Sequence, residues 1–109
     1  EADARLNGGT TTSEGTAAIN KVRARAAASQ LTSYSLIEIL DEWSREFYFE
    51  GRRRTDLIRF DRFGGNNNYN WSWKSGVATG ANFSKDMNLF PLPNTEINTN
   101  SNLKQNHGY

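Results

Sequence analysis

One short string determines where a helix must begin in this chain. Ser35-Leu36-Ile37-Glu38 has the pattern of a capping box, in which a serine and a glutamate three residues later bond to each other's backbone amides. A helix should therefore start at Leu36. An apolar stripe follows at helical spacing, made of Leu36, Ile39, Leu40, Trp43 and Phe47. Gly51 is placed to end this helix in a left-handed conformation, so the sequence predicts an amphipathic helix that needs a partner surface.

Two more helices are expected before this one. From Ser13 to Ala28 small apolar residues recur at helical spacing, which predicts a helix with a narrow face that a neighbour can approach closely. Residues 1–6 also have helical character, and they stop at Asn7-Gly8-Gly9. We expect the two helices to form an antiparallel, tetratricopeptide-like hairpin, the unit from which helical-repeat scaffolds are built.

The second half of the chain has a different character. Thr55 or Asp56 can cap a shorter helix that runs to Phe63 and directs its apolar residues inward, after which Asn, Gly and Ser dominate with no sustained period. Prolines then require an extended segment at residues 89–93, and a helical turn is expected at Thr95-Glu96-Ile97. The predicted class is mostly α, with a helical part (1–63), an aromatic, asparagine-rich loop (64–88), and an extended proline motif with a polar tail (89–109).

Composition excludes several kinds of function. Thirteen basic and twelve acidic residues give a net charge of +1, so no long-range field favours nucleic acid or an anionic membrane. Cysteine is absent, which excludes disulfides and thiolate chemistry. The hydrophobic share of 36% indicates a modest core, and the chain opens inside a helix without an initiating Met. We therefore expect a segment of a longer protein.

Carboxylates at four-residue spacing are the first candidates for catalysis. Glu42 with Glu46, and Glu46 with Glu50, share a helix face, and such pairs serve glycoside cleavage or metal binding. Arginines that lie just beyond the helix favour a simpler interpretation, in which Glu46 and Glu50 form structural ion pairs with Arg52 and Arg53. The arginines could also hold phosphate, but internal pairing is the better hypothesis.

The single histidine does not supply a catalytic set. His107 lies three residues from the end, with no second histidine, cysteine or serine elbow near it. A catalytic triad or a histidine-based zinc site would need partners that the chain lacks. We expect no catalytic residue, no metal site and no cofactor.

Alternating aromatic residues are the strongest functional feature. Tyr69, Trp71 and Trp73 are interleaved with Asn70 and Ser72. Sugar rings stack on aromatic faces while amides bond their hydroxyls, so this string suits an oligosaccharide. The alternative is structural, because Trp71 and Trp73 share parity and would press together onto the helices in an extended segment. Both interpretations stay open at this stage, with ligand binding assigned to the three aromatic residues.

Several strings resemble the SusD/RagB family in their order and spacing. They are Ile19-Asn20-Lys21-Val22-Arg23-Ala24-Arg25-Ala26, Ile39-Leu40-Asp41-Glu42, Arg45-Glu46, Phe49-Glu50-Gly51-Arg52-Arg53, Asp56-Leu57-Ile58-Arg59-Phe60, Leu89-Phe90-Pro91-Leu92-Pro93, Glu96-Ile97-Asn98 and Asn102-Leu103-Lys104-Gln105-Asn106. The resemblance covers nearly the whole chain and places it in the family's C-terminal segment. Trp43 and His107 depart from the usual pattern.

The resemblance implies a non-catalytic outer-membrane lipoprotein on the extracellular face, held by a lipid anchor upstream of this chain. Such a protein captures oligosaccharides, or peptides in some members, as the lid of a SusC-like TonB-dependent transporter. It implies no nucleic-acid partner, and the family's ligand contacts lie mostly upstream. The alternative function is a tetratricopeptide-like module that binds a protein or peptide.

Overall fold

The computed structural model describes residues 1–109 and is mostly helical without a sheet, as the sequence predicts. Its elements are α1 (Ala2–Leu6), α2 (Ser13–Arg25), α3 (Leu36–Glu46), α4 (Arg53–Arg59), two 3-10 turns (Lys74–Gly76 and Lys85–Asn88) and α5 (Asn94–Thr99). The chain forms two compact units, Glu1–Arg53 and Arg54–Tyr109. No helix is long and apolar enough to cross a membrane.

α1 and α2 are joined by a carboxylate as well as by the turn between them. Asp3 Oδ2 accepts a hydrogen bond from the Thr12 amide at 2.9 Å, and Asp3 Oδ1 accepts one from the Thr12 hydroxyl at 2.6 Å. Thr12 in turn caps α2 by accepting from the Gly15 amide. Glu1 lies with Ile19 in one groove while Asp3 lies at the start of α2, so the two helices run antiparallel. The expected hairpin is present; its tetratricopeptide-like character remains a prediction.

The first unit encloses a small core with a polar part. Tyr34, Ile39 and Leu40 are buried, and the Tyr34 amide donates to the buried Thr11 hydroxyl at 2.9 Å. Thr11 also lies 2.7 Å from Thr16 Oγ1, and it donates its amide to the Tyr34 carbonyl. Each buried polar group thus has a partner, which is the condition for tolerating it in a core.

α3 begins where the capping box places it and ends earlier than expected. Ser35 accepts from the Glu38 amide while Glu38 accepts from the Ser35 amide, which confirms the start at Leu36. The helix ends at Glu46, and Gly51, at φ +75°, lies beyond the turn that follows. The three consecutive aromatics that follow Glu46 lose side-chain freedom in a helix, and Phe49 already adopts φ +65°. The expectation that Gly51 ends the helix is therefore wrong.

α4 is displaced toward the N-terminus relative to its prediction. It covers Arg53–Arg59 instead of starting at Thr55 or Asp56 and running to Phe63. Asp61, at φ +55°, ends the helix. Its amide donates to the Ile58 carbonyl, and the Arg62 amide donates to the Leu57 carbonyl at 2.7 Å. This is a Schellman-type ending with aspartate in the position that glycine usually takes.

In the second unit, a loop and a tail are each tied down. Gly64 pairs with Phe83 in a parallel bridge, so residues 64–83 form a closed loop. A side chain at Gly64 would lie 2.6 Å from the Ser84 carbonyl oxygen, which explains the glycine. In the tail, the side chain of Gln105 makes two bonds to the backbone of Leu92. Its Nε2 donates to the Leu92 carbonyl at 3.0 Å, and its Oε1 accepts from the Leu92 backbone amide at 2.8 Å. The side chain thereby replaces the partner strand that the extended proline motif lacks.

Candidate functional site

The aromatic loop (residues 64–88) carries an internal cluster of rings. Tyr69 and Trp71 meet edge to face with centroids 6.4 Å apart, and Trp71 meets Phe83 in the same way at 6.3 Å. Phe83 also lies 5.0 Å from Phe63, which extends the cluster to the end of the preceding segment. Edge-to-face pairs at these distances are stabilising, so the cluster forms the small core of the loop.

A buried lysine completes this core. Lys74 is 1% exposed, and its Nζ donates to the Tyr69 carbonyl at 2.9 Å. The ammonium also lies 4.9 Å from the Trp71 ring centroid and 5.5 Å from that of Phe83, within the range of cation–π attraction. Burial lowers the pKa of Lys74 below its ordinary value, because loss of water disfavours the charged form.

Trp73 points away from the cluster. Its indole is 70% exposed, and its backbone is left-handed, with φ 67° and ψ 7°. The residues around it form a turn and a 3-10 helix, so the shared parity of Trp71 and Trp73 does not bring them to one side. The expected extended segment is wrong. Of the three aromatic candidates, Tyr69 and the 38% exposed Trp71 take part in the ring cluster, whereas Trp73 has no ring beside it.

Amide side chains surround this part of the loop. Asn68 and Asn70 are exposed, and Asn68 adopts φ +54°, a conformation that asparagine tolerates better than most residues. Asn82 donates to Asn66 Oδ1 at 2.9 Å, and its own Oδ1 is buried with no hydrogen-bond partner. An exposed indole with amide donors and acceptors nearby is an arrangement that can stack on a sugar ring and bond its hydroxyls.

Gly80 allows the loop to fold back on itself. It adopts φ +78°, and a Cβ there would lie 2.4 Å from the Trp71 carbonyl oxygen. A side chain would therefore separate the two halves of the loop. Sequence analysis interpreted the glycines only as loop residues, because a sequence does not show which of them meets another backbone.

Glu42 and Glu46 of α3 are each paired with an arginine of α2. Arg23 and Arg45 both donate to Glu42 Oε2, and Glu46 pairs with the exposed Arg25. Glu50 is exposed. The expected partners of Glu46 therefore differ from the observed one, because α2 packs beside this face of α3. No group of three or more His, Cys, Asp or Glu residues is placed to hold a metal ion.

Arg52 and Arg53 take part in aromatic stacking and a backbone contact. Arg52 lies over the rings of Trp43 and Phe47, with its guanidinium carbon 4.2 and 4.3 Å from their centroids. Arg53 donates to the Leu40 carbonyl at 2.9 Å. These contacts fold the segment after α3 back onto the helix. They give the two arginines structural duties beyond the ion pairs that the sequence suggested.

An apolar groove lies on the first unit. Its volume is about 190 Å³, and its walls come from α1, α2 and α3, including Ile19, Val22, Ile39, Trp43 and Phe47. Nearly all of its exposed lining is apolar. Sequence analysis placed these residues on apolar stripes but did not distinguish a filled interface from an open groove.

The tail brings the only histidine to a carboxylate. His107 Nδ1 lies 2.9 Å from Asp86 Oδ1, and Ser84 donates to Asp86 Oδ2 at 2.8 Å. The bonds from His107 and Ser84 hold the pKa of the Asp86 carboxyl below its usual value. Both side chains lie at the surface, and the contact fastens the tail to the second 3-10 turn.

The sequence model of the SusD family matches residues 1–109, and the chain therefore belongs to the SusD family. The starch-binding protein SusD of Bacteroides thetaiotaomicron is 43% identical over 97 residues, which are 88% of this chain and 17% of that protein. The chain thus spans about a sixth of the length of this curated relative.

Proposed function

We propose that the protein containing this chain captures oligosaccharides at the cell surface for a TonB-dependent importer. Membership of the SusD family supports this proposal, since a relative with 43% identity is named a starch-binding protein. In this reading the protein lies on the extracellular face of the outer membrane, held by an upstream lipid anchor, and its partner is a SusC-like transporter.

Trp73 is the residue through which we propose that this chain contacts the ligand. Its exposed indole has no neighbouring ring to cover it, in contrast to Tyr69 and Trp71, which pack in the loop core. An indole face attracts the C–H groups of a pyranose, and the exposed Asn68 and Asn70 can bond hydroxyls beside it. The free face of Trp73 is the observation that carries this assignment.

The test is a calorimetric titration of the intact protein with maltoheptaose. The proposal predicts saturable binding, which Trp73→Ala weakens about two- to tenfold, as expected for the loss of one aromatic stacking contact of about 0.5–1.5 kcal/mol. Phe49→Ala is the control, because Phe49 is 91% exposed and also has a positive φ but lies in the other unit. An unchanged affinity in Trp73→Ala would remove Trp73 from the site.

A second experiment addresses the partner and the ligand class. Gentle solubilisation of outer membranes should release the protein together with a TonB-dependent transporter. Cello- and xylo-oligosaccharides, tested beside maltoheptaose, show whether binding extends beyond α-linked glucans. Binding of a random peptide mixture with no response to any oligosaccharide would instead favour the tetratricopeptide-like module.

A further inference from the structure

Lys74 is the least expected buried residue in the second unit. It is 1% exposed, although lysine is almost never fully buried unless it is paired. Its partners are a carbonyl oxygen and two aromatic faces instead of a carboxylate. Taking an ammonium out of water is unfavourable, and the lowered pKa of Lys74 has this cause. A residue that costs stability in this way calls for a physical reason.

The backbone of Lys74 connects the two halves of the loop. Its amide donates to the Trp71 carbonyl at 3.0 Å, and its carbonyl accepts from the Ala81 amide at 3.1 Å. The side chain then runs inward to the Tyr69 carbonyl. Three contacts therefore fix this residue relative to both halves of the loop.

Residues on both sides of Lys74 have strained backbones. Trp73 has φ 67° and Ser75 has φ 59°, both in the left-handed region, which costs energy for residues other than glycine. With Lys74 directed into the core between them, the left-handed turn at Trp73 directs its indole outward. Such strain persists only where the surroundings determine it. The contacts of Lys74 surround this turn together with two backbone bonds, from the Trp73 amide to the Ala78 carbonyl and from the Gly76 amide to the Trp73 carbonyl.

We propose that Lys74 is a positioning residue for the ligand-binding face of the loop. Its ammonium, bound to the Tyr69 carbonyl and placed beside the Trp71 and Phe83 rings, holds Trp73 and Ser75 in the left-handed conformation and keeps the Trp73 indole free to stack on a sugar. The proposal rests on the proposed function of Trp73. A side chain ordered before binding does not lose its freedom during binding, which is how a positioning residue strengthens affinity.

The experiment uses the intact protein with fluorine-labelled tryptophan, which gives one ¹⁹F resonance for each indole. Replacement of Trp73 by Phe assigns its signal. Lys74→Met keeps an unbranched side chain that is one atom shorter, and it removes the charge and the donor. The matched control is Lys85→Met, since Lys85 is exposed in the same loop. Trp43, in the other unit, reports on whether the fold is intact.

We expect Lys74→Met to move or broaden the Trp73 resonance, to leave Trp43 unchanged and to raise the Kd for maltoheptaose about two- to tenfold, the usual cost of ordering one side chain. Lys85→Met should change neither. Lys74→Arg keeps a cation and donors, and it should keep the Trp73 resonance near its original position. If the Trp43 resonance also shifts in Lys74→Met, that variant has lost its fold. The Trp73 resonance of Lys74→Arg then tests the proposal.

Two results would overturn the proposal. One is an unchanged Trp73 resonance in Lys74→Met, and the other is a Trp73 resonance in Lys74→Arg that has the position of a fully disordered loop. Failure of the proposed function is a separate outcome. It would appear as an unchanged maltoheptaose affinity in Trp73→Ala, while the ¹⁹F spectra would still show whether Lys74 orders the turn.

Discussion

Arg23 of α2 and Glu42 of α3 form an ion pair in which both side chains are about 85% buried. Arg45, on α3 itself, donates to the same carboxylate oxygen at 2.7 Å. The two residues are nineteen positions apart along the chain, and their pair joins α2 to α3. Glu42, which sequence analysis considered as a catalytic carboxylate, is thus engaged in holding helices together.

Removal of this charge should destabilise the first unit. Glu42→Gln leaves Arg23 half-paired and partly buried, and we expect a loss of about 1–2 kcal/mol in the free energy of unfolding, less than for a fully buried pair. Glu46→Gln is the control, because its pair with Arg25 is exposed and should contribute less than about 1 kcal/mol. Urea unfolding measures both, and equal losses would contradict the assignment.

The buried Lys74 makes the stability of the protein depend on pH in the alkaline range. Because the pKa of Lys74 is lowered in the folded state, the unfolded chain binds more protons between the two pKa values. Stability contributed at this site should therefore rise as pH increases from the folded pKa toward the ordinary value near 10.5. Unfolding of the intact protein and of Lys74→Met across this range tests the sign, and the variant should lose the dependence.

Asp3 gives a dependence of the same sign at acidic pH, since its lowered pKa also makes stability rise with pH. Hydrogen bonds from the hydroxyl and amide of Thr12 lower the pKa of the Asp3 carboxyl. Its contribution to stability is complete above the unfolded value of about 3.8 and is lost as pH falls through the folded pKa. Asp3→Asn should flatten the acid limb of the stability curve. Glu14→Gln, at an exposed position in the first turn of α2, should leave that limb unchanged.

Gly108 tests how the tail is fastened. It adopts φ +90°, and an added Cβ would lie 2.6 Å from Asp86 Cβ, so Gly108→Ala should release the tail from the second 3-10 turn. Gly51→Ala is the control, because Gly51 has φ +75° with open space around it and would show the backbone strain alone. Limited proteolysis within the tail should accelerate in Gly108→Ala only. Equal rates would show that the tail tolerates a side chain there.

Local signals predicted the starts of α2 and α3, whereas α4 begins before the residues that were expected to cap it. The capping box placed α3 at the correct residue, and Thr95 to Ile97 lie within α5 as expected. Helix ends were harder, since α3 stops before Gly51 and α4 ends at an aspartate in a left-handed conformation. Endings depend on how the following segment folds back, for instance on Arg52 stacking over Trp43, and periodicity does not carry that information.

Long-range partners explain most of what the sequence left undetermined. Glu46 meets Arg25 instead of the arginines that follow it, because α2 lies beside α3. Tyr34, which no motif indicated, is among the most buried side chains. Lys74 was overlooked because a lysine in a polar loop suggests an exposed residue. The sequence did contain one indication that Lys74 could be enclosed. Aromatic residues lie on both sides of it, with Tyr69, Trp71 and Trp73 before it and Phe83 after it.

The enclosure of Lys74 also determines its chemical reactivity. Amine-acylating reagents need an accessible, unprotonated amine, which the exposed Lys21, Lys85 and Lys104 can supply, whereas Lys74 can react only when the loop opens. The rate at which Lys74 is acylated, relative to those three, therefore measures how often the loop opens in the native protein. A ligand that closes over Trp73 would slow this one modification and leave the other three unchanged, so a mass spectrum can serve as a binding assay.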